Sequence, residues 1–132
     1  MKRRNGRKRL IFLASLAVVI AAAMLLFTSL GLGTQRSGVR IGYVGHEGWS
    51  NWSASYTSFD GWMRHTIHPR SDTLHVAVET TSGAINIEMK DAKGEIIFSG
   101  SQIETSSFEV DVPGRVIVSI EADHHAGGFD IR

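Results

Sequence analysis

The chain has 132 residues, with 14 Lys and Arg against 13 Asp and Glu, and no cysteine. The missing thiols exclude disulfide cross-links, thiol catalysis, cysteine metal sites and an acylated-cysteine lipoprotein anchor. The near-neutral total averages two unlike parts: six cations and no acid precede Gln35, while the remainder carries eight basic and 13 acidic residues, a net charge of −5.

Residues 1–9 form a basic stub that holds Lys2, Arg3, Arg4, Arg7, Lys8 and Arg9. Residues 10–32 follow, apolar apart from Ser15, Thr28 and Ser29, with no charge and no proline. At about 1.5 Å per residue this run makes a helix of about 35 Å, enough to cross a hydrocarbon core of about 30 Å. One N-terminal transmembrane helix in contact with membrane lipid is therefore predicted. Cations placed ahead of it keep the N-terminus cytoplasmic and send the rest of the chain outside. Two outcomes compete: a retained anchor, or a signal peptide cleaved at the small residues of Ser29-Leu30-Gly31 or Gly31-Leu32-Gly33. A signal-peptide core is shorter, about 7–15 residues, which favours the anchor. Ala14, Ala17 and Ala21 share a helical face and allow another membrane protein's helix to approach closely. An exported domain without disulfides suits a bacterial envelope, and a single-membrane one best.

Residues 33–38 read as a short polar linker, and 39–132 as one extracytoplasmic domain. Its pattern has period two. Leu74, Val76 and Val78 alternate with polar neighbours, as do Ile85, Ile87 and Met89; Phe108, Val110 and Val112; Val116, Val118 and Ile120; and Phe129 with Ile131. Alternation of this kind marks half-buried antiparallel strands. Thr81-Ser82-Gly83, Asp91-Ala92-Lys93-Gly94, Pro113-Gly114 and Ala126-Gly127-Gly128 fall between the runs as turn signals. With strands at 39–44, 53–59, 62–68 and 95–99 the total is eight or nine short strands. An all-β, jelly-roll-like antiparallel β-sandwich is expected.

Chemistry concentrates in 45–69, which holds all three tryptophans and three of the six histidines. Trp49, Asn51, Trp52, Tyr56, Asp60 and Trp62 form a candidate ligand-binding set. Rings stack on the apolar C–H patches of a sugar while amide and carboxylate groups take its hydroxyls. The competing reading puts Trp52 and Trp62 in the core, and Trp49, between Gly48 and Ser50, is expected to be exposed. His65 and His68 point to opposite faces of a strand and cannot share an ion. Asp123, His124 and His125 sit in an expected turn, where a third ligand such as Glu121 or His46 would have to come from folding. No zinc spacing is present, and neither a metal nor another cofactor is expected. The chain contains no Gly-x-Ser-x-Gly elbow, phosphate loop or His-Glu-x-x-His. Glu47, Asp60 and Asp123 would suit glycoside hydrolysis only in a cleft, and about 98 residues leave little wall for one.

Gly45-His46-Glu47-Gly48-Trp49, Trp52-Ser53-Ala54-Ser55-Tyr56, Phe59-Asp60-Gly61, Thr80-Thr81-Ser82-Gly83 and His125-Ala126-Gly127-Gly128-Phe129-Asp130-Ile131 resemble small exported or membrane-anchored β-rich proteins of Gram-positive (Bacillota-type) bacteria. The resemblance implies a compartment and a β-rich fold, and no catalytic residues. The function expected is a non-catalytic, membrane-anchored binding or scaffolding domain at the cell envelope. The alternative is a carbohydrate-binding module using the aromatics of 49–62. The partners expected are a cell-envelope glycan or a membrane protein; a domain of charge −5 disfavours nucleic acid.

Overall fold

The computed structural model describes residues 35–132. The basic stub, the apolar run 10–32 and residues 33–34 lie outside the described residues. Among those described, no helix is long and apolar enough to cross a membrane. The domain is all-β, with seven strands: β1 (Gln35–Ile41), β2 (Val44–Glu47), β3 (Trp52–Ile67), β4 (Thr73–Lys90), β5 (Ile96–Gly100), β6 (Ser106–Asp111) and β7 (Val116–Ile131). Residues 35–38, expected as linker, are the start of β1, and every pairing is antiparallel.

Three strands, β3, β7 and β4, run the full length of the domain side by side. The shorter strands complete them in pairs. β2 covers the first half of β3 and β1 the second; β6 covers the first half of β4 and β5 the second. One half-sheet is thus β2-β3-β7-β4-β6 and the other β1-β3-β7-β4-β5. Their inner faces meet in a sandwich. Trp52 of the first half lies 5.4 Å, ring to ring, from His65 of the second, and Phe98 of β5 stacks at 5.1 Å on Phe108 of β6.

The link between the halves corrects the expected strand count. The runs 74–78 and 85–89 are one strand, as are 53–59 with 62–68 and 116–120 with 129–131. Thr81-Ser82-Gly83 lies at the β4 bulge and Ala126-Gly127-Gly128 lies within β7 beside its bulge at 123–125; neither is a turn between strands. Each strand changes parity at its bulge. The positions that follow this alternation and are buried are 52, 54 and 56 and then 59, 63, 65 and 67 in β3, where Thr66 is buried as well; 74, 76 and 78 and then 85, 87 and 89 in β4; 116, 118, 120 and 122 and then 125, 129 and 131 in β7, where Gly128 is buried as well. An extra residue bends a strand and flips every later side chain to the other face. The three bulges lie next to one another, so the whole sheet creases along one line, and the parity changes keep apolar residues inside on both halves.

Glycine is required at this crease. Gly61 has φ +144° and faces Gly38 (φ +115°) across the β1–β3 pair, and a Cβ on either would collide with the other strand's backbone. Gly127 (φ +134°) lies equally close to the Glu79 carbonyl. The turn signals elsewhere hold. Asp91 closes the β4–β5 hairpin, its Oδ1 accepting from the backbone N–H of Lys93 and of Glu95, each at 2.9 Å, and Pro113-Gly114 separates β6 from β7.

Candidate functional site

Alternation that fills the core on one side of the second half-sheet builds a polar surface on the other. Two rows of side chains cross it. Register aligns Ser37 with Trp62, Trp62 with Glu121 and Glu121 with Asn86; one step along, it aligns Gln35 with Arg64, Arg64 with Ser119, Ser119 with Glu88 and Glu88 with Ser99. Their neighbours in sequence, Met63, Ile87 and Ile120, are buried, so the rows project outward. Apart from Gln35 and Ser37, these residues line a shallow depression of about 360 Å³ that reaches Gly100 and Ser101.

The surface is pre-ordered by its own contacts. Trp62 is 42% exposed, and the Arg64 guanidinium lies 5.8 Å from its ring centroid. Arg64 Nε donates to Ser119 Oγ at 3.4 Å. Lys90 pairs with Glu88 at 3.5 Å, and Asn86 Oδ1 accepts from the Gln102 backbone N–H at 2.8 Å. Arg64 and Lys90 are matched in number by Glu88 and Glu121, so the face carries donors, acceptors and an aromatic ring with little net charge. Such a face suits a neutral, hydroxyl-rich molecule better than a polyanion or an apolar one.

The six residues singled out in the sequence do not converge. Trp62 lies on this face. Trp49 is 70% exposed, as expected, in the β2–β3 connection, its ring parallel to His68 at 3.6 Å. Asn51 lies beside it, half-buried, and its carbonyl accepts from the Gly48 N–H at 2.8 Å. Trp52 and Tyr56 are corrections. Trp52 is fully buried, edge-on to Phe129 at 4.9 Å, and Tyr56 is 6% exposed; both point into the sandwich and present no ring to a ligand. The physical reason is β3's alternation, which sends 52, 54 and 56 inward together. Asp60 is exposed at the crease. The residues missed (Arg64, Asn86, Glu88, Ser99, Ser119 and Glu121) come from four strands. Asn86, Glu88, Ser119 and Glu121 are the polar members of alternating runs, which was the signal available; Arg64 and Ser99 lie in runs without that alternation.

Inside the crease is a buried polar chain. His125 is fully buried; its Nδ1 lies 2.6 Å from the Tyr56 hydroxyl and its Nε2 2.8 Å from Thr80 Oγ1. Thr80 Oγ1 donates its proton to the Ile103 carbonyl at 2.8 Å, so it accepts from His125 Nε2–H, and Nδ1 accepts from Tyr56. That is the neutral ring. Burial lowers the His125 pKa and raises that of Tyr56, in keeping with this assignment.

His124 goes the other way. The β7 bulge puts it at φ 46°, outside, where Nδ1 donates to Asp123 Oδ1 at 2.7 Å and Nε2 lies 3.6 Å from Asp60 Oδ2. The hydrogen bond to Asp123, then the charges of Asp60 and Asp123, raise its pKa. Donor atoms of the three lie within 4.8 Å of one another. Asp60 therefore takes the place expected of Glu121 or His46, and His125 turns away. Both ring nitrogens of His124 face carboxylates, an arrangement that holds an imidazolium between two anions.

No protein-family model matches the chain, and no curated protein matches it. Among solved structures, the Drosophila melanogaster CENP-C cupin domain is similar at TM-score 0.39 and 15% identity, over 84% of this chain and 93% of that one. PirA is similar at TM-score 0.41 and 13% identity, over 65% and 94%. A mutant of the family 29 carbohydrate-binding module CBM29-2 is similar at 0.36 and 13%, over 78% and 81%. Likeness of this order transfers neither a fold name nor a function.

Proposed function

We propose that this protein is a non-catalytic, membrane-anchored extracytoplasmic binding domain of a bacterial envelope, of jelly-roll-like form, and that its ligand is a neutral carbohydrate held on the outer face of the second half-sheet. The observation that carries the reading is the row Trp62–Glu121–Asn86 beside Arg64–Ser119–Glu88–Ser99. Trp62 supplies a stacking ring, and the carboxylates, the amide and the guanidinium supply paired hydrogen bonds for vicinal hydroxyls. The near balance of charge supports an uncharged ligand. The depression is open, and an open face leaves water at any reacting bond, which supports binding over hydrolysis. The cations ahead of residues 10–32 support anchoring with the domain outside.

The test is a glycan array probed with residues 35–132. Binding to neutral oligosaccharides that is lost in both Trp62→Ala and Glu121→Ala is the expected result. No binding to any glycan would remove the carbohydrate reading, and cleavage of a bound glycan would overturn the non-catalytic one.

A further inference from the structure

On the side away from β7, β4 is paired in two separate stretches. β6 covers residues 73–78 and β5 residues 87–90, so the bulged stretch 79–86 has no strand beside it there. The β5–β6 connection bridges this gap and is fastened to β4 at three points. Gln102 N–H donates to Asn86 Oδ1 at 2.8 Å, Ile103 N–H to the Ile85 carbonyl at 2.9 Å, and Thr80 N–H to Thr105 Oγ1 at 2.9 Å. Between the bulge and the connection lies a second depression, of about 700 Å³.

This depression continues the Trp62 face. Ala84 and Asn86 flank the buried Ile85 and share the outer face of β4. Asn86 lines the first depression and Ala84 the second; in the connection, Ser101 lines the first and Gln102 the second. Thr81 and Ser82 bring hydroxyls to the second depression, Gln102 an amide and Glu104 a carboxylate, around the apolar Ala84 and Ile103. Such a lining matches the hydroxyls and the C–H patch of a sugar ring. Among the described residues no cation lines it, which disfavours an anion. No aromatic ring lines it either, so it extends the Trp62 face and does not replace it. Each depression falls in the range of about 300–1,000 Å³ that holds a small ligand. We infer, resting on the carbohydrate reading above, that the ligand is a chain of several sugar units. It runs from Trp62 past Asn86 and Gln102 into the second depression, and affinity grows with its length. Linked units reach adjacent subsites at high effective concentration, and a connection already fastened to β4 loses little freedom on binding.

The test is calorimetric titration of the full chain, held in a polyoxyethylene detergent that carries no sugar. The probes are cello-, xylo-, manno- and chito-oligosaccharides, each as disaccharide and as hexasaccharide. In a series that binds, the hexasaccharide should be at least about tenfold tighter than the disaccharide. Two variants address the second depression alone: Ser82→Tyr fills it and Glu104→Ala removes its carboxylate. Both should weaken the hexasaccharide severalfold and leave the disaccharide unchanged, whereas Trp62→Ala should weaken both lengths. Glu104 is exposed, so Glu104→Ala decides alone if Ser82→Tyr unfolds the domain. Equal affinity for the two lengths, or a hexasaccharide advantage that survives Glu104→Ala undiminished, overturns the extension and leaves the Trp62 face standing. No binding of any series at either length overturns the extension together with the carbohydrate reading beneath it.

Discussion

His124 and His125 are consecutive in sequence and lie on opposite sides of the sheet. His125 is fully buried against the Tyr56 hydroxyl, while His124, at φ 46°, stands in solvent between Asp123 and Asp60. In a regular strand neighbours also alternate, but here the β7 bulge separates the two rings and gives them opposite titration behaviour.

That contrast sets the pH dependence. The folded-state pKa of His125 is lowered by burial, so below its ordinary value of about 6.5 the unfolded chain binds more protons and stability falls with acidification. His124, with a raised pKa, contributes in the opposite sense: its stabilisation is complete at low pH and is lost as pH rises through its folded pKa. Full exposure and screening keep that contribution small, so the His125 effect dominates. Thermal melts from pH 7.5 to 5 should show Tm falling through the histidine range. His125→Gln should melt earlier at pH 7.5, by about 1–3 kcal/mol for the disturbed buried hydrogen bonds, but with a flatter acid slope. An unchanged slope would show that another group titrates.

The crease makes a second prediction. Gly127→Ala puts a Cβ into the Glu79 carbonyl at φ +134°, whereas Gly114→Ala has open space around it and no positive φ. Chemical denaturation should place the first at least about 2 kcal/mol below wild type and the second within about 0.5 kcal/mol of it. Equal effects would argue against a tight crease.

The tryptophans separate by location. Trp52→Ala should cost about 3–5 kcal/mol, as large-to-small aromatic core changes do. Trp62→Ala and Trp49→Ala should leave the melting temperature nearly unchanged, and of the two only Trp62→Ala should lose ligand. Loss of binding in Trp49→Ala with Trp62→Ala unaffected would move the site to the β2–β3 connection.

The hairpin between β4 and β5 depends on one carboxylate. Asp91→Ala removes both acceptor bonds to the Lys93 and Glu95 N–H groups and should cost about 1–2 kcal/mol, measured by urea titration. A Tm equal to wild type would show that the turn holds without its side chain.

Much of this fold was legible in the alternation of the sequence. The runs 74–78 and 85–89 name their buried residues correctly, and so do 116–120 and the pair Phe129 and Ile131. The joins were not legible. A glycine between two alternating runs of opposite parity fits a turn or a bulge equally well, and the choice rests on which strands pair, a long-range fact. The residues of the candidate set are dispersed for a related reason. Trp49, Trp52, Tyr56 and Trp62 are close in sequence, but alternation and the β3 bulge send them to three different surroundings. Trp62 meets Glu121 and Asn86 only through the pairing of β3 with β7 and β7 with β4.

The central claim is that ligand binds the outer face of the second half-sheet. Its most direct test is an NMR titration of 15N-labelled residues 35–132 with a neutral oligosaccharide that the array identifies. The expected result is saturable shifts at the Trp62 indole N–H, the Arg64 side chain and the amides of Asn86, Glu88, Ser99 and Glu121, with Trp49 and Ser50 unmoved. Shifts gathered instead at Trp49, Ser50 and Arg70, with the Trp62 indole unmoved, would contradict it.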